Sequence, residues 1–224
     1  MDKITNIVSV GCSWVAYPYD WDSNERNRFD KINSEIFEYR DEKTLKKYSF
    51  AKYLAEKLDI PYYNIGSPGA SNDYVFNSLF RLINQKNLEN SFVVLGLTDP
   101  ARHQIGMSPT INNSESDFFG WKQHSKWIET FFKSFYSEDS RIRYIMMMLD
   151  LFNEYLKSKN SKLVVFNSFT EEVSYPKRDY FFNKFKTWED YIVSYDKDFH
   201  RNTHPIDYDH KILANLLYEE YFSE

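Results

Sequence analysis

Short apolar runs alternate with amphipathic stretches along this chain. Residues 4–10 (ITNIVSV) form a β-branched run ending at Gly11, the pattern of a buried strand meeting a tight turn. Leu45, Tyr48, Ala51, Leu54, Ala55 and Leu58 then recur at helical spacing until Pro61 stops them. Residues 61–65 (PYYNI) read as a second strand, followed by the turn-rich GSPGASND. Val75, Phe76, Leu79, Phe80 and Ile83 mark a second amphipathic helix, and 91–97 (SFVVLGL) is the clearest strand. Ile142 to Leu156 is apolar around most of its circumference, as a well-buried helix would be. Residues 162–166 (KLVVF) form a fourth strand, and Ile212, Leu213, Leu216, Leu217 and Tyr221 share one face of a final helix over 207–221. Residues 20–43 are a polar, charged connection. Trp121 to Phe135 has helical character, and 170–203 carries aromatics and charges without a firm period.

Strands alternating with helices need crossover connections, which give a parallel sheet covered on both faces. The expected fold is α/β, a three-layer αβα sandwich with a parallel sheet. With 224 residues and no repeat or composition break, residues 1–224 are expected to form a single domain.

Composition narrows the function classes. Hydrophobic residues make up 42% and charged residues 27%, ordinary globular usage that argues against wholesale disorder. The 18 Tyr and 19 Phe are read as the mark of A+T-rich coding rather than of function. A net charge of -5 argues against nucleic acid as the main partner, which would call for a basic face. Cys12 is the single cysteine, so no internal disulfide is possible. No apolar run approaches the ~20 residues of a membrane span, and the apolar stretch at the start is too short for a secretory signal. The expectation is a cytoplasmic protein, in host cytoplasm or virion if viral, without a membrane partner. His204 and His210 are six apart, a poor match to a helical zinc pair, so neither metal nor cofactor is expected.

In an open parallel sheet ligands bind beyond the carboxyl ends of the strands. Of six glycines, Gly11, Gly66, Gly69 and Gly96 fall at or just after the first three strand ends. Turns between strands and helices favour glycine on their own account, which explains part of this clustering.

The segments at these ends carry a resemblance. VSVGCSWV (residues 8–15) is similar to the first block of SGNH (GDSL-like) hydrolases, a strand running into G-D-S, with Cys12 in place of the aspartate. YYNIGSPGASND resembles the second block, VVLGLTDPAR occupies the place of the third (G-x-N-D), and THPIDYDH resembles the last. The four segments follow family order and span most of the chain. The G-C-S-W wording resembles divergent members found in phage genomes.

The resemblance implies a serine ester hydrolase acting on a small-molecule or carbohydrate ester, with acetylated sugars as a class suggested by analogy. It makes Ser13 the nucleophile and His204 the base, with the amides of Ser13 and Gly69 and the Thr98 side chain as the oxyanion hole. A serine hydroxyl needs such a base to become a competent nucleophile. Alternatives stay open at each position. Ser13 also suits a helix N-cap, and Cys12, expected to face the core, is a second nucleophile candidate. Gly69 also suits a plain Pro-Gly turn, with Gly66 as the alternative donor. Asn72 is a candidate to complete the hole, and Asn72 and Arg102 are candidate substrate contacts; Arg102 also suits a solvated surface.

Two departures stand out. Thr98 occupies the family's asparagine position, and Arg201 occupies that of the aspartate three residues before the histidine. Asp198 is chosen as the partner of His204 because it supplies charge, with Asn202 as the alternative. These departures keep open a catalytically silent binding or structural module, possible in a virus particle. A nucleotide-handling protein has no P-loop or G-x-G-x-x-G to support it. Oligomeric state is not legible.

Overall fold

The computed structural model describes residues 3–12, 15, 49–67, 70–100, 134, 137–168, 174–196, 205 and 207–223. Within them the chain runs β1 (Asn6–Gly11), α1 (Phe50–Leu58), β2 (Tyr62–Asn64), α2 (Asn72–Gln85) and β3 (Ser91–Leu97). It continues through α3 (Glu138–Lys157), β4 (Lys162–Asn167), α4 (Trp188–Tyr195) and α5 (Asp207–Tyr221). The expected helical stretch at 121–135 lies almost wholly outside the described residues.

The sheet order is β2-β1-β3-β4 and every pair is parallel. The apolar runs of β3 and β4 suit strands buried on both faces. Strand direction reverses its lateral progress after β2, so right-handed crossovers place α1 on one face and α2 and α3 on the other. Ring contacts bear this out. Phe50 of α1 meets Phe166 of β4, and Tyr221 of α5 meets Phe92 of β3, on the face where those strand residues align. Phe76 of α2 packs on Tyr144 and Phe152 of α3 behind the other face. The fold is therefore the expected α/β sandwich.

A segment that showed no period in the sequence extends this sheet. Val165 forms an isolated parallel bridge with Phe181, donating its N–H to the Tyr180 carbonyl and accepting from the Phe182 N–H, both at 2.8 Å. The outer edge of β4 is thereby paired over 180–182 rather than left open.

Four helices start on a hydroxyl cap. Ser49, Ser71, Ser137 and Thr187 accept from the N–H three residues on, satisfying donors that a helix start leaves orphaned. Asp59 takes a left-handed conformation (φ 53°) at the end of α1, two residues before Pro61.

Candidate active site

The carboxyl ends of β1, β2 and β3 lie side by side. Gly11 aligns with Gly96 across β1 and β3. Beyond β2 the chain keeps following β1: Ile65 N–H donates to the Ser9 carbonyl and Ser67 N–H to the Gly11 carbonyl, each at 2.9 Å. β1 thus has the β2 connection on one side and β3 on the other, the switch point where an open sheet offers a crevice.

Two glycines fix how close the chain after β1 lies to the sheet. A Cβ placed on Gly11 or on Gly96 would come within 2.4 Å of Val15 Cγ2. The buried Val15 side chain occupies the space both glycines leave empty, and its N–H closes a turn onto the Cys12 carbonyl at 3.0 Å. Cys12 is buried in the core, as expected. Ser13 itself lies outside the described residues, as do Gly69, Arg102, Asp198, Asn202 and His204.

Asn72 and Thr98 are described, and the structure gives them joint work. The Asn72 amide donates from Nδ2 to the Thr98 carbonyl at 2.9 Å, and its Oδ1 accepts from the Thr98 N–H at 3.0 Å. Both residues are buried. Asn72 therefore clamps the backbone just past β3, where the sequence suggested a substrate contact. The Thr98 hydroxyl, expected in the oxyanion hole, is buried and has no hydrogen-bond partner among the described residues. Gly66, the alternative oxyanion donor, directs its N–H onto Asn64 Oδ1 at 3.0 Å.

The neighbouring Asp73 forms a bidentate pair with Arg141 at the start of α3, both contacts at 2.8 Å. Arg141 Nε also donates to the Pro100 carbonyl at 3.1 Å. One guanidinium, only 8% exposed, thus joins the starts of α2 and α3 to the segment leaving β3. Burial, reinforced by Asp73, pushes the adjacent Tyr144 hydroxyl above its ordinary pKa. Of the polar run Ser71-Asn72-Asp73, each member has a structural partner.

Past β4 the site's flank is Ser168, buried and without a side-chain partner among the described residues. Its N–H donates to the Leu97 carbonyl at 3.0 Å, and its own carbonyl accepts from Glu189 N–H at 3.1 Å. Glu189, in the first turn of α4, is 8% exposed, and burial, followed by the nearby Asp190, pushes its carboxyl above the ordinary range. Neither Arg141 nor Glu189 was singled out in the sequence, and no local pattern marks either.

Two braces tie down the start of α5. The Tyr195 hydroxyl donates to the buried Asp209 carboxylate at 2.6 Å, and burial raises the tyrosine pKa. His210, fully buried, accepts from Phe50 N–H through Nδ1 at 3.2 Å and stacks on the Phe50 ring. An accepting Nδ1 leaves the proton of a neutral ring on Nε2. Pro205, directly after His204 in sequence, is buried.

No protein-family model matches the chain, and no curated protein matches it. Solved structures do. A GDSL-like lipase candidate from Parabacteroides merdae ATCC 43184 aligns over 98% of this chain and 96% of its own, at 13% identity and a TM-score of 0.48. The YxiM protein from Bacillus subtilis aligns over all of this chain and 58% of its own, at 14% identity and a TM-score of 0.48. A carbohydrate esterase aligns over all of this chain and 70% of its own, at 15% identity and a TM-score of 0.36. Likeness at this level transfers no residue role.

Among the described residues no group of three or more His, Cys, Asp or Glu is arranged to hold a metal ion. No helix among them is long and apolar enough to cross a membrane.

Proposed function

We propose that the chain is a serine ester hydrolase of the SGNH type, acting on a small-molecule or carbohydrate ester. The observation that carries this reading is the meeting of three motif segments at one switch point. The Ser67 N–H on the Gly11 carbonyl joins the first two, and the Gly11–Gly96 alignment brings in the third. In this reading the Ser13 hydroxyl attacks the acyl carbon while His204 takes its proton. The tetrahedral oxyanion is held by the Ser13 and Gly69 amides and the Thr98 hydroxyl. His204 returns the proton to the departing alcohol, and water, activated by the same imidazole, releases the acid from Ser13. Asp198 holds the imidazole tautomer and stabilises the imidazolium.

The experiment is labelling with a fluorophosphonate probe. Wild type should label, and Ser13→Ala should not. A second reading, a silent SGNH-like module that binds without turnover, is favoured by one observation. The Asn72 amide, the nearby side chain best suited to replace the family's asparagine, is occupied by the Thr98 backbone. Absence of labelling in folded wild type at high probe concentration would select that reading.

A further inference from the structure

We propose that the chain self-associates through the outward face of α3, paired antiparallel with a second copy of itself. α3 is 20 residues long, about 30 Å at the usual helical rise of roughly 1.5 Å per residue. Its inner face is core: Ile145, Leu149 and Leu156 are fully buried. Its outer face is also apolar. Met147, Leu151 and Tyr155 are 52%, 59% and 36% exposed, and their spacing of four puts them in one stripe. Beside the stripe runs an open groove of about 520 Å³, floored by Ile142, Met146 and Pro176. Scattered exposed apolar residues need no explanation, but a continuous stripe along a groove marks a contact surface.

The charges around the stripe name the occupant. At its middle, Asp150 and Arg178 neutralise each other through contacts of 3.1 and 3.2 Å. At its ends stand Arg143 and Glu154, both exposed. Arg143 donates to Ser140 Oγ, and Glu154 accepts from Lys157 at 3.3 Å, surface contacts that exchange easily. A two-fold axis across the helix at residue 149 exchanges Met147 with Leu151 and carries position 143 onto 155. Arg143 of one copy then lies beside Glu154 and Tyr155 of the other, and the pairing occurs twice. A parallel arrangement would set Arg143 against Arg143. The patch is thus complementary to itself in the antiparallel sense, the requirement for an isologous dimer. Three part-exposed apolar side chains are far fewer than the residues a standard interface of roughly 1,200 Å² total brings together, so the association is weak and reversible.

Sedimentation equilibrium on the full chain, from about 1 to 500 µM, tests this in the concentration range where weak association is read. Wild type should pass from monomer to dimer within that range. Leu151→Glu should raise the dissociation constant at least ~10-fold, because a charge is buried without a partner, and should leave the urea midpoint unchanged. Arg143→Glu should weaken the dimer about 3- to 10-fold through like-charge contact with Glu154, and the double variant Arg143→Glu/Glu154→Arg should restore it. A wild type that stays monomeric throughout overturns the proposal, as does a double variant no tighter than the single one. A sharp fall in the Leu151→Glu urea midpoint also overturns it, since the stripe would then be covered by the chain itself.

Discussion

Replacing Asn72 with alanine tests whether the end of β3 is held as described. The substitution deletes two hydrogen bonds, of 2.9 and 3.0 Å, to the carbonyl and N–H of Thr98. Thr98 is 1% exposed and Asn72 fully buried, so water does not readily replace either partner. A buried backbone group left unpaired costs about 1–3 kcal/mol, so two cost roughly 2–6 kcal/mol before relaxation. Alanine's better helix propensity returns at most ~0.7 kcal/mol. The expected net loss is about 2–4 kcal/mol, read from urea unfolding followed by circular dichroism, with the slope unchanged. Asn72→Asp should cost at least as much, since its second oxygen would face the Thr98 carbonyl, acceptor against acceptor, and its charge would be buried. Should Asn72→Ala lower stability by under ~0.5 kcal/mol, the clamp is not holding the strand end, and this account of Asn72 is wrong.

Thr98→Val removes a buried hydroxyl with no partner among the described residues, so unfolding should show unchanged or slightly higher stability, up to ~1 kcal/mol. Under the proposed function the same variant should lower turnover of a model ester ~100-fold, and unaltered turnover takes the hydroxyl out of the oxyanion hole. Glu189 has its carboxyl pKa raised above 4.5, by burial first and Asp190 second, so the folded state holds its proton to higher pH than the unfolded chain. The sign follows: stability is lost as pH rises from the ordinary carboxylate range through the raised value. Glu189→Gln should therefore raise the urea midpoint at pH 7 and give no gain at pH 3.5. A gain equal at both pH values would show that burial of the charge is not the cause. The start of α4 opposes part of this effect by favouring a carboxylate.

The strands were legible because burial on both faces writes itself as uninterrupted apolar residues, as in 91–97 and 162–166. The start of α2 was not. Its apolar pattern begins at Val75, whereas the helix begins at Asn72, because its first turn buries an amide in place of a hydrocarbon. Asn72 in that run reads as a candidate substrate contact, since an asparagine that bonds its own backbone and one that bonds a substrate are spelled alike. α4 escaped notice for a related reason. Its buried residues are Trp188, Glu189 and Ile192, and a carboxyl in the buried set erases the amphipathic signal over only two turns. The Arg141–Asp73 pair spans 68 residues, and no local pattern encodes such a distance. The motif segments could be read in order; the hydrogen bonds that join them could not.

The Val15 seat divides two glycines that look equivalent in sequence. At position 96 the three atoms nearest an added methyl group all belong to side chains, those of Val15, Ser168 and Phe166. At position 11 it would also meet the Gly96 carbonyl at 2.9 Å, which is backbone and cannot yield. Shrinking residue 15 to alanine therefore relieves the tightest contact at 96, leaving Ser168 Oγ at 3.0 Å and Phe166 Cζ at 3.1 Å to give a little, while the backbone contact at 11 remains. Across descendants of this sequence, 15 and 96 should drift together, trading a methyl back and forth, while 11 stays fixed. The junction of β1 and β3 thus has one contact that side chains can relax and one set by the backbone.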